Sequence, residues 1–302
     1  MRFRPALILL LVVLFAFPLV SAVASTGSPI WNPSFQRTWA RTDQPVSDLG
    51  VSRTWMWGPA GYSGGVVEPY AEAKGGKRIV QYFDKSRMEI SSDPTVSPDS
   101  AWYVTNGLLA KELITGKVQV GDNKYWSWEP AQIPVAGDAV NPVAPTYATF
   151  GMLLGARPAT DGQTLTTRVW REGRTTHDAQ LAKHGVTAGH RVQVWGIDHQ
   201  VASVFWEFMN SSGLVLDGGK VVQGKLFQDP FYATGYPITE AYWARVKLAG
   251  VDRDVLIQCF ERRCLTYTPD NPAGWQVEAG NIGQHYYRWR YADKAPVPAP
   301  IG

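Results

Sequence analysis

Apolar and polar positions alternate along two distant stretches, and the two stretches read as copies of one hairpin. The first is Gln81-Tyr82-Phe83-Asp84-Lys85-Ser86-Arg87-Met88-Glu89-Ile90, and the second is Gln258-Cys259-Phe260-Glu261-Arg262-Arg263-Cys264-Leu265-Thr266-Tyr267. Period-two alternation on either side of a short polar centre predicts strands over 78–83 and 86–90, with Asp84-Lys85 as the turn. The same pattern predicts strands over 241–248 and 254–260, with Glu261-Arg262 as the second turn. The flanks extend the match. Glu68-Pro69-Tyr70 precedes the first hairpin and Glu240-Ala241-Tyr242 the second, while Gly107-Leu108-Leu109 and Gly280-Asn281-Ile282 follow them. Glu68 and Glu240 therefore read as equivalent positions. Self-similarity over this span implies a duplicated module.

Helical periodicity is sparser. A short amphipathic helix is expected over 35–43, capped by Ser34, with Phe35 and Trp39 on one face. Residues 108–114 read as a helix stopped by Gly116. Residues 178–184 read as another, with Asp178 as N-cap and Gly185 just past its end. Residues 201–209 place Val201, Val204, Phe205 and Phe208 at core spacing, and 277–289 reads as a helix or helical turn. Further strands are expected at 164–170, 174–176 and 191–195, and an aromatic strand at 55–57. Tyr62-Ser63-Gly64-Gly65 reads as a loop, and Asp217-Gly218-Gly219 and Ala249-Gly250 as turns.

These elements predict an α+β, β-rich fold with two related hairpin-plus-short-helix modules flanking a smaller middle section. The expected divisions are 25–128 for the first module, 129–146 for a Pro-rich linker or surface connection, 147–200 for the middle section, 201–291 for the second module and 292–302 for a flexible tail. Residues 1–24 read as a signal peptide. Arg2 and Arg4 supply its charge, 6–20 its apolar run, and Ala22-Val23-Ala24 a small-x-small site with cleavage after Ala24. The apolar run is shorter than the roughly twenty residues of a membrane span. Export to the cell surface or the medium follows, with no transmembrane span in the mature chain.

Charge adds an exclusion. The chain carries 29 basic and 26 acidic residues, and two of the basic ones lie in the signal region. So balanced a surface gives no general electrostatic grip on nucleic acid. Cys259 and Cys264 are the only two cysteines. With Glu261-Arg262 as a two-residue turn, Phe260 and Arg263 close it, and the cysteines form the next pair out, where side chains come closest. A disulfide staple is expected there. The first hairpin has Tyr82 and Arg87 at the matching places and does without one.

Thirteen tryptophans are many for this length. Exposed indole and phenol faces stack on sugar rings, while core positions consume aromatic rings in small modules. The candidates for stacking are Trp55, Trp57, Trp126, Trp128 and Trp275, with Tyr286, Tyr287 and Trp289 behind them. Trp126-Ser127-Trp128 stands out, because two rings on one strand face the same way and the repeat does not require them. His177, His184, His190, His199 and His285 show no metal-ligand spacing. Gly61-Tyr62-Ser63-Gly64-Gly65 is not a nucleophile elbow, and dinucleotide or phosphate-loop fingerprints are absent. No catalytic residue and no cofactor is assigned. Arg87 and Arg263 are the candidate partners for the repeated glutamates.

Gly235-Tyr236-Pro237-Ile238-Thr239-Glu240, the aromatic helix before it and the Gln-x-Phe-acid-basic hairpin after it loosely resemble the LGFP repeat of secreted bacterial proteins. That resemblance covers about 35–114 and 201–288. The whole mature chain is similar to a group of uncharacterised exported bacterial proteins. The resemblance implies export and attachment at the cell envelope, with no chemistry attached. The expectation is a non-catalytic envelope or extracellular binding protein with a polysaccharide as partner. The alternatives are a secreted glycan or peptide hydrolase with its site between the modules, and a domain that mediates protein contacts.

Overall fold

The computed structural model describes residues 27–299, so the segment read as a signal peptide lies outside the described residues. The fold is α+β and rich in strands. Helices α1 (Pro33–Thr42) and α2 (Gln44–Leu49) come first. Strands β1 (Gly61–Pro69), β2 (Lys77–Phe83), β3 (Ser86–Ile90) and β4 (Val104–Asn106) follow in sequence and pair antiparallel in that order. Helix α3 (Leu109–Thr115) then leads into a ribbon of β5 (Lys117–Gly121) and β6 (Lys124–Ser127), and α4 (Tyr147–Gly151) comes next. The middle of the chain supplies β7 (Thr167–Val169), β8 (Thr175–His177), the hairpin β9 (Ala188–Val194) and β10 (Ile197–Ala202), α5 (Ser203–Met209), and the ribbon β11 (Ser212–Asp217) and β12 (Lys220–Lys225). A second antiparallel run, β13 (Tyr242–Leu248), β14 (Val251–Cys259), β15 (Cys264–Tyr267) and β16 (Val277–Ala279), ends in α6 (Ile282–Arg290). β7 and β8 extend this sheet at the β13 edge.

The two hairpins are built alike. In each, the strand ahead of the hairpin advances five residues while its partner advances three, from Gly61↔Phe83 to Val66↔Val80 and from Pro237↔Phe260 to Tyr242↔Ile257. The glutamine before each turn then fills an equivalent role. Gln81 donates through Nε2 to the carbonyls of Ser63 (2.7 Å) and Pro29 (2.9 Å), and its Oε1 accepts from Trp31 N (2.9 Å). Gln258 donates to the carbonyls of Thr239 (3.0 Å) and Gln200 (2.6 Å), and its Oε1 accepts from Ala202 N (3.1 Å). Tyr82 N and Cys259 N donate in turn to the hydroxyls of Ser63 and Thr239. This register corrects the pairing of Glu68 with Glu240. Because Val66 corresponds to Tyr242, Glu68 corresponds to Ala244 and Glu240 to Gly64.

The halves exchange helices. Lys111 N, in the first turn of α3, donates to Glu261 O of the second hairpin turn (3.0 Å). Gly283 N and Gln284 N, in the first turn of α6, donate to Asp84 O of the first (3.0 and 3.4 Å). Side chains repeat the exchange, with Lys111 Nζ 3.7 Å from Glu261 Oε1 and Gln284 Nε2 donating to Asp84 Oδ1 at 2.7 Å.

Alternation places both sheets between two cores. Val80 and Tyr82 of the first sheet meet Tyr242, Ala244, Val246 and Ile257 of the second around α3 and α6. Trp243, Leu256 and Leu265 turn the other way, onto Phe205 of α5 and Val201. Phe83 and Met88 turn toward Phe35, Trp39 and Trp57.

Several elements depart from expectation. Asn32, not Ser34, caps α1; its Oδ1 accepts from Ser34 N at 2.7 Å, which leaves Pro33 at a position that needs no N–H donor. Tyr62 to Gly65 belong to β1, not to a loop. Trp55 to Trp57 form no strand; the Asp43 carboxylate instead accepts from the amides of Met56, Trp57 and Gly58. The strand expected over 164–170 keeps only Thr167–Val169. Asp178 and Gly185 do bound a helix, but it is a 3-10 turn. Val201 lies in β10 rather than opening α5, and 277–289 divides into β16 and α6. The Pro-rich stretch runs partly over the surface, with Val140 and Val143 exposed, and sends Ala131, Val135 and Ala144 into the core. In the tail, Val297 and Pro298 pair with β1.

The disulfide forms as expected. Cys259 and Cys264 face each other across β14 and β15, S–S 2.01 Å, one pair outside the Phe260 N→Arg263 O bond that closes the turn. Tyr82 and Arg87 make the matching pair in the first hairpin.

Candidate functional site

The β5–β6 ribbon carries the most concentrated exposed aromatic surface. β5 turns Val118 and Val120 into the core. β6 pairs only with β5 and is exposed along its whole length. Tyr125 is 48% exposed, Trp126 47% and Trp128 37%. Alternation along β6 sets Tyr125 and Trp126 on opposite sides of the ribbon, and Trp128 follows one residue beyond the strand. Trp128 is braced edge-on by Trp289 of α6, ring centroids 5.0 Å apart, and Trp289 Nε1 donates to Glu129 O at 3.2 Å. Trp128 N donates to Gly116 O at 2.8 Å. Gly116 has φ 69° and a Cβ there would lie 2.0 Å from Trp128 O, so only glycine allows the ribbon to close this tightly onto α3. The result is a cluster of exposed rings, with Trp128 held from behind by Trp289 and by backbone.

The other predicted aromatic residues divide. Trp55 and Trp275 are half-buried, and Trp275 Nε1 donates to Ser52 Oγ at 3.1 Å. Trp57 is only 1% exposed. It lies edge-on to Phe83 and beneath the Arg263 guanidinium at 5.0 Å. A ring so enclosed offers no face to a sugar, so Trp57 is a core residue. Tyr286 is fully buried as well. Tyr125 was missed: a lone Tyr beside two Trp carries no signal until the pairing shows which strand is the edge.

Two carboxylate groupings were candidates for chemistry. Glu68, Glu89 and Glu112 surround Arg87 in the interior, with Arg87 Nη1 3.3 Å from Glu68 and Nη2 3.7 Å from Glu112. Arg290 and Arg78 add charge at 3.5 Å from Glu68 and 2.7 Å from Glu89. Tyr82 and Tyr291 donate their hydroxyls to Glu68 at 2.5 and 2.9 Å, and Tyr286 donates to Glu112. Burial alone would push the Glu68 carboxyl up, but Arg87, Arg290 and Arg78 and the Tyr82 hydroxyl bring it down to about 2. For Glu112 burial wins, and its carboxyl is pushed up. Arg87 is thus the partner of Glu68, as expected. Arg263 is not the partner of Glu240; that carboxylate accepts from Gln200 N and Ala159 N and meets His199 Nδ1 at 3.0 Å. Both groupings are enclosed, so they tie elements together rather than face a substrate. Among the described residues, no group of His, Cys, Asp and Glu is arranged to hold a metal ion, and no helix is long and apolar enough to cross a membrane.

Set against family models, curated proteins and solved structures, the chain matches none.

Proposed function

We propose that the protein is exported and acts as a non-catalytic glycan-binding component of the cell envelope or extracellular space, built from two copies of one module. The observation that carries this reading is the cluster of exposed rings on the β5–β6 ribbon, Tyr125, Trp126 and Trp128, the last braced by Trp289. Fully burying a large apolar side chain is worth roughly 1.5–3 kcal/mol, so a ligand that covers these half-exposed rings gains affinity from each of them. Pyranose rings suit such a surface: their C–H faces cover the ring while hydroxyls stay in water or reach neighbouring polar groups. Lys117, Lys124 and Glu129 are exposed beside the ribbon and offer those groups.

The test is retention of the mature chain on purified peptidoglycan and insoluble polysaccharides, compared with the Trp126→Ala/Trp128→Ala variant. The wild type is expected in the pellet and most of the variant in the supernatant, with unchanged circular dichroism. No retention of the wild type on any polymer overturns the reading. Release of reducing ends from the same polymers would make the protein a hydrolase instead.

A further inference from the structure

A second concavity lies away from the ribbon. A cleft of about 510 Å³ opens between α1, the 98–104 segment and the β11–β12 ribbon. Its walls come from segments far apart in the chain, and its chemistry is mixed in a particular way. Arg37 and Arg41 stand one helical turn apart on α1; Asp99 and Asp217 line the same space from the other two walls. Gln36 and Gln228 add amides. The formal charges cancel, and forked donors and forked acceptors are present together. At the edge, Trp102 follows the lining residue Ala101, packs edge-on against the lining Tyr232 with centroids 5.3 Å apart, and remains 42% exposed. Tyr232 is fixed by its hydroxyl, which donates to Val104 O at 2.6 Å. The wall is therefore rigid beneath an exposed indole.

We infer that this cleft is a second saccharide site, one that takes a neutral pyranose stacked on Trp102. The reading deepens the proposed function and rests on it. Vicinal hydroxyls donate and accept at once, so a pair of them is satisfied by planar side chains of both kinds. Arg37, Arg41, Asp99, Asp217 and the glutamines offer that set. A uronate or phosphate would meet two carboxylates as well as two guanidiniums, and gains nothing from a wall whose charges sum to zero. A hydrocarbon ligand would strip water from the Asp99 and Asp217 carboxylates and give them no partner, while Arg37 and Arg41 would keep the bonds they donate to Pro98 O and Lys225 O. The exposed indole then covers the apolar face of the ring, as indoles do at sites that are apolar at one end and wet at the other.

The ribbon and the cleft share no residue, so their contributions separate. Chitohexaose and cellohexaose are the probes, titrated into the mature chain and followed by indole fluorescence and saturation-transfer NMR. Three variants are compared: Trp102→Ala and Asp99→Ala in the cleft, and Trp126→Ala/Trp128→Ala in the ribbon. Trp102 and Asp99 are exposed, so both cleft variants are expected to keep the wild-type fold. Each should weaken binding of a hexasaccharide about tenfold in the ribbon-deficient background, where the cleft is the remaining site. If the ribbon variant alone abolishes binding, or if Trp102→Ala and Asp99→Ala leave the residual affinity unchanged, the cleft is not a saccharide site while the ribbon reading stands. If the wild type binds neither hexasaccharide but pellets with polysaccharide, the cleft inference is likewise overturned. If it binds neither and does not pellet, both readings fall.

Discussion

Gln81 and Gln258 each hold together chain segments that sequence distance keeps far apart. Each side chain is fully buried and makes three hydrogen bonds to backbone, reaching residues 29–31 in one case and 200–202 in the other. Replacing Gln258 with Ala leaves Ala202 N–H and two carbonyls facing a cavity. Lost buried hydrogen bonds cost about 1–3 kcal/mol per group, so Gln258→Ala should lower stability by about 3 kcal/mol or more, read as a shift in urea midpoint; Gln81→Ala should match it. A shift below about 1 kcal/mol in both would show that these bonds do not hold the strands. The cysteines behave differently. They close a loop of sequence separation 5, and loops that short contribute roughly 2 kcal/mol or less. Cys259→Ala/Cys264→Ala should therefore stay folded and lose only that amount, as the Tyr82–Arg87 pair implies. At this scale the sequence displays the repeated glutamine but not its purpose, because two of each side chain's three partners lie fifty or more residues away. It also misleads over Glu68 and Glu240. The Glu-x-Tyr triplets look alike, yet one sits four residues further along the strand. Ahead of the second hairpin, β13 and β14 pair without interruption around the two-residue turn Ala249-Gly250, whereas β1 and β2, ahead of the first, pair over a shorter run around a wider loop.

At the scale of elements, the exchange of α3 and α6 between the hairpins explains one glycine. Gly283 sits in the first turn of α6, and a Cβ there would lie 1.9 Å from Phe83 O and 2.6 Å from Ser86 O. Both are backbone atoms and cannot turn aside, so α6 must move away from the first hairpin. Gly283→Ala is a helix-favouring change on propensity alone. It is nonetheless expected to destabilise by about 1–3 kcal/mol, the range for overpacking. A thermal melt at or above the wild-type midpoint would refute the close docking. Which elements were legible follows from the same local-versus-distant division. The two hairpins, Gly116 and Gly185 as helix stops, and the Ala249-Gly250 turn are set by neighbours in sequence, and all appear where alternation and glycine place them. β1 was hidden because its glycines look like a loop. They serve close approaches instead: a Cβ on Gly61 would meet Gln81 Nε2 at 2.5 Å, and one on Gly65 the Trp31 ring at 2.8 Å. The aromatic cluster was half legible. Trp126 and Trp128 were visible as an unexplained pair, whereas the enclosure of Trp57 depends on Phe83, Asp43 and Arg263, which tertiary packing brings to it.

For the molecule as a whole, the groups that join its parts make stability depend on pH, and the signs can be separated. His285 of α6 meets the Tyr147 hydroxyl of α4 at 3.0 Å. Burial, with Arg288 nearby, brings its imidazole down to about 4. A depressed histidine contributes stability above its unfolded value of about 6.5 and loses it as pH falls toward the folded value, because the unfolded chain takes the proton first. Glu68 is held at about 2, so its contribution is present above about 4.5 and is lost only in stronger acid. Burial pushes Asp43 and Glu112 the other way; they take up protons in the folded state first and offset part of the His285 loss near the lower end of its window. The wild type should therefore weaken in two stages, from about pH 6.5 to 4 and again below about 4.5, with the ionic cluster around Arg87 giving way in the second. His285→Gln retains a group able to hydrogen-bond Tyr147 but cannot titrate. It should remove the His285 share of the first stage, leaving the smaller part from His184, whose imidazole is also lowered by burial, and leave the second, so that between pH 7 and 4.5 the wild type loses about 2–3 kcal/mol more than the variant. Urea denaturation at half-unit pH intervals reads this directly. Parallel curves for the two proteins across that window would mean that the α4–α6 contact does not hold a neutral histidine.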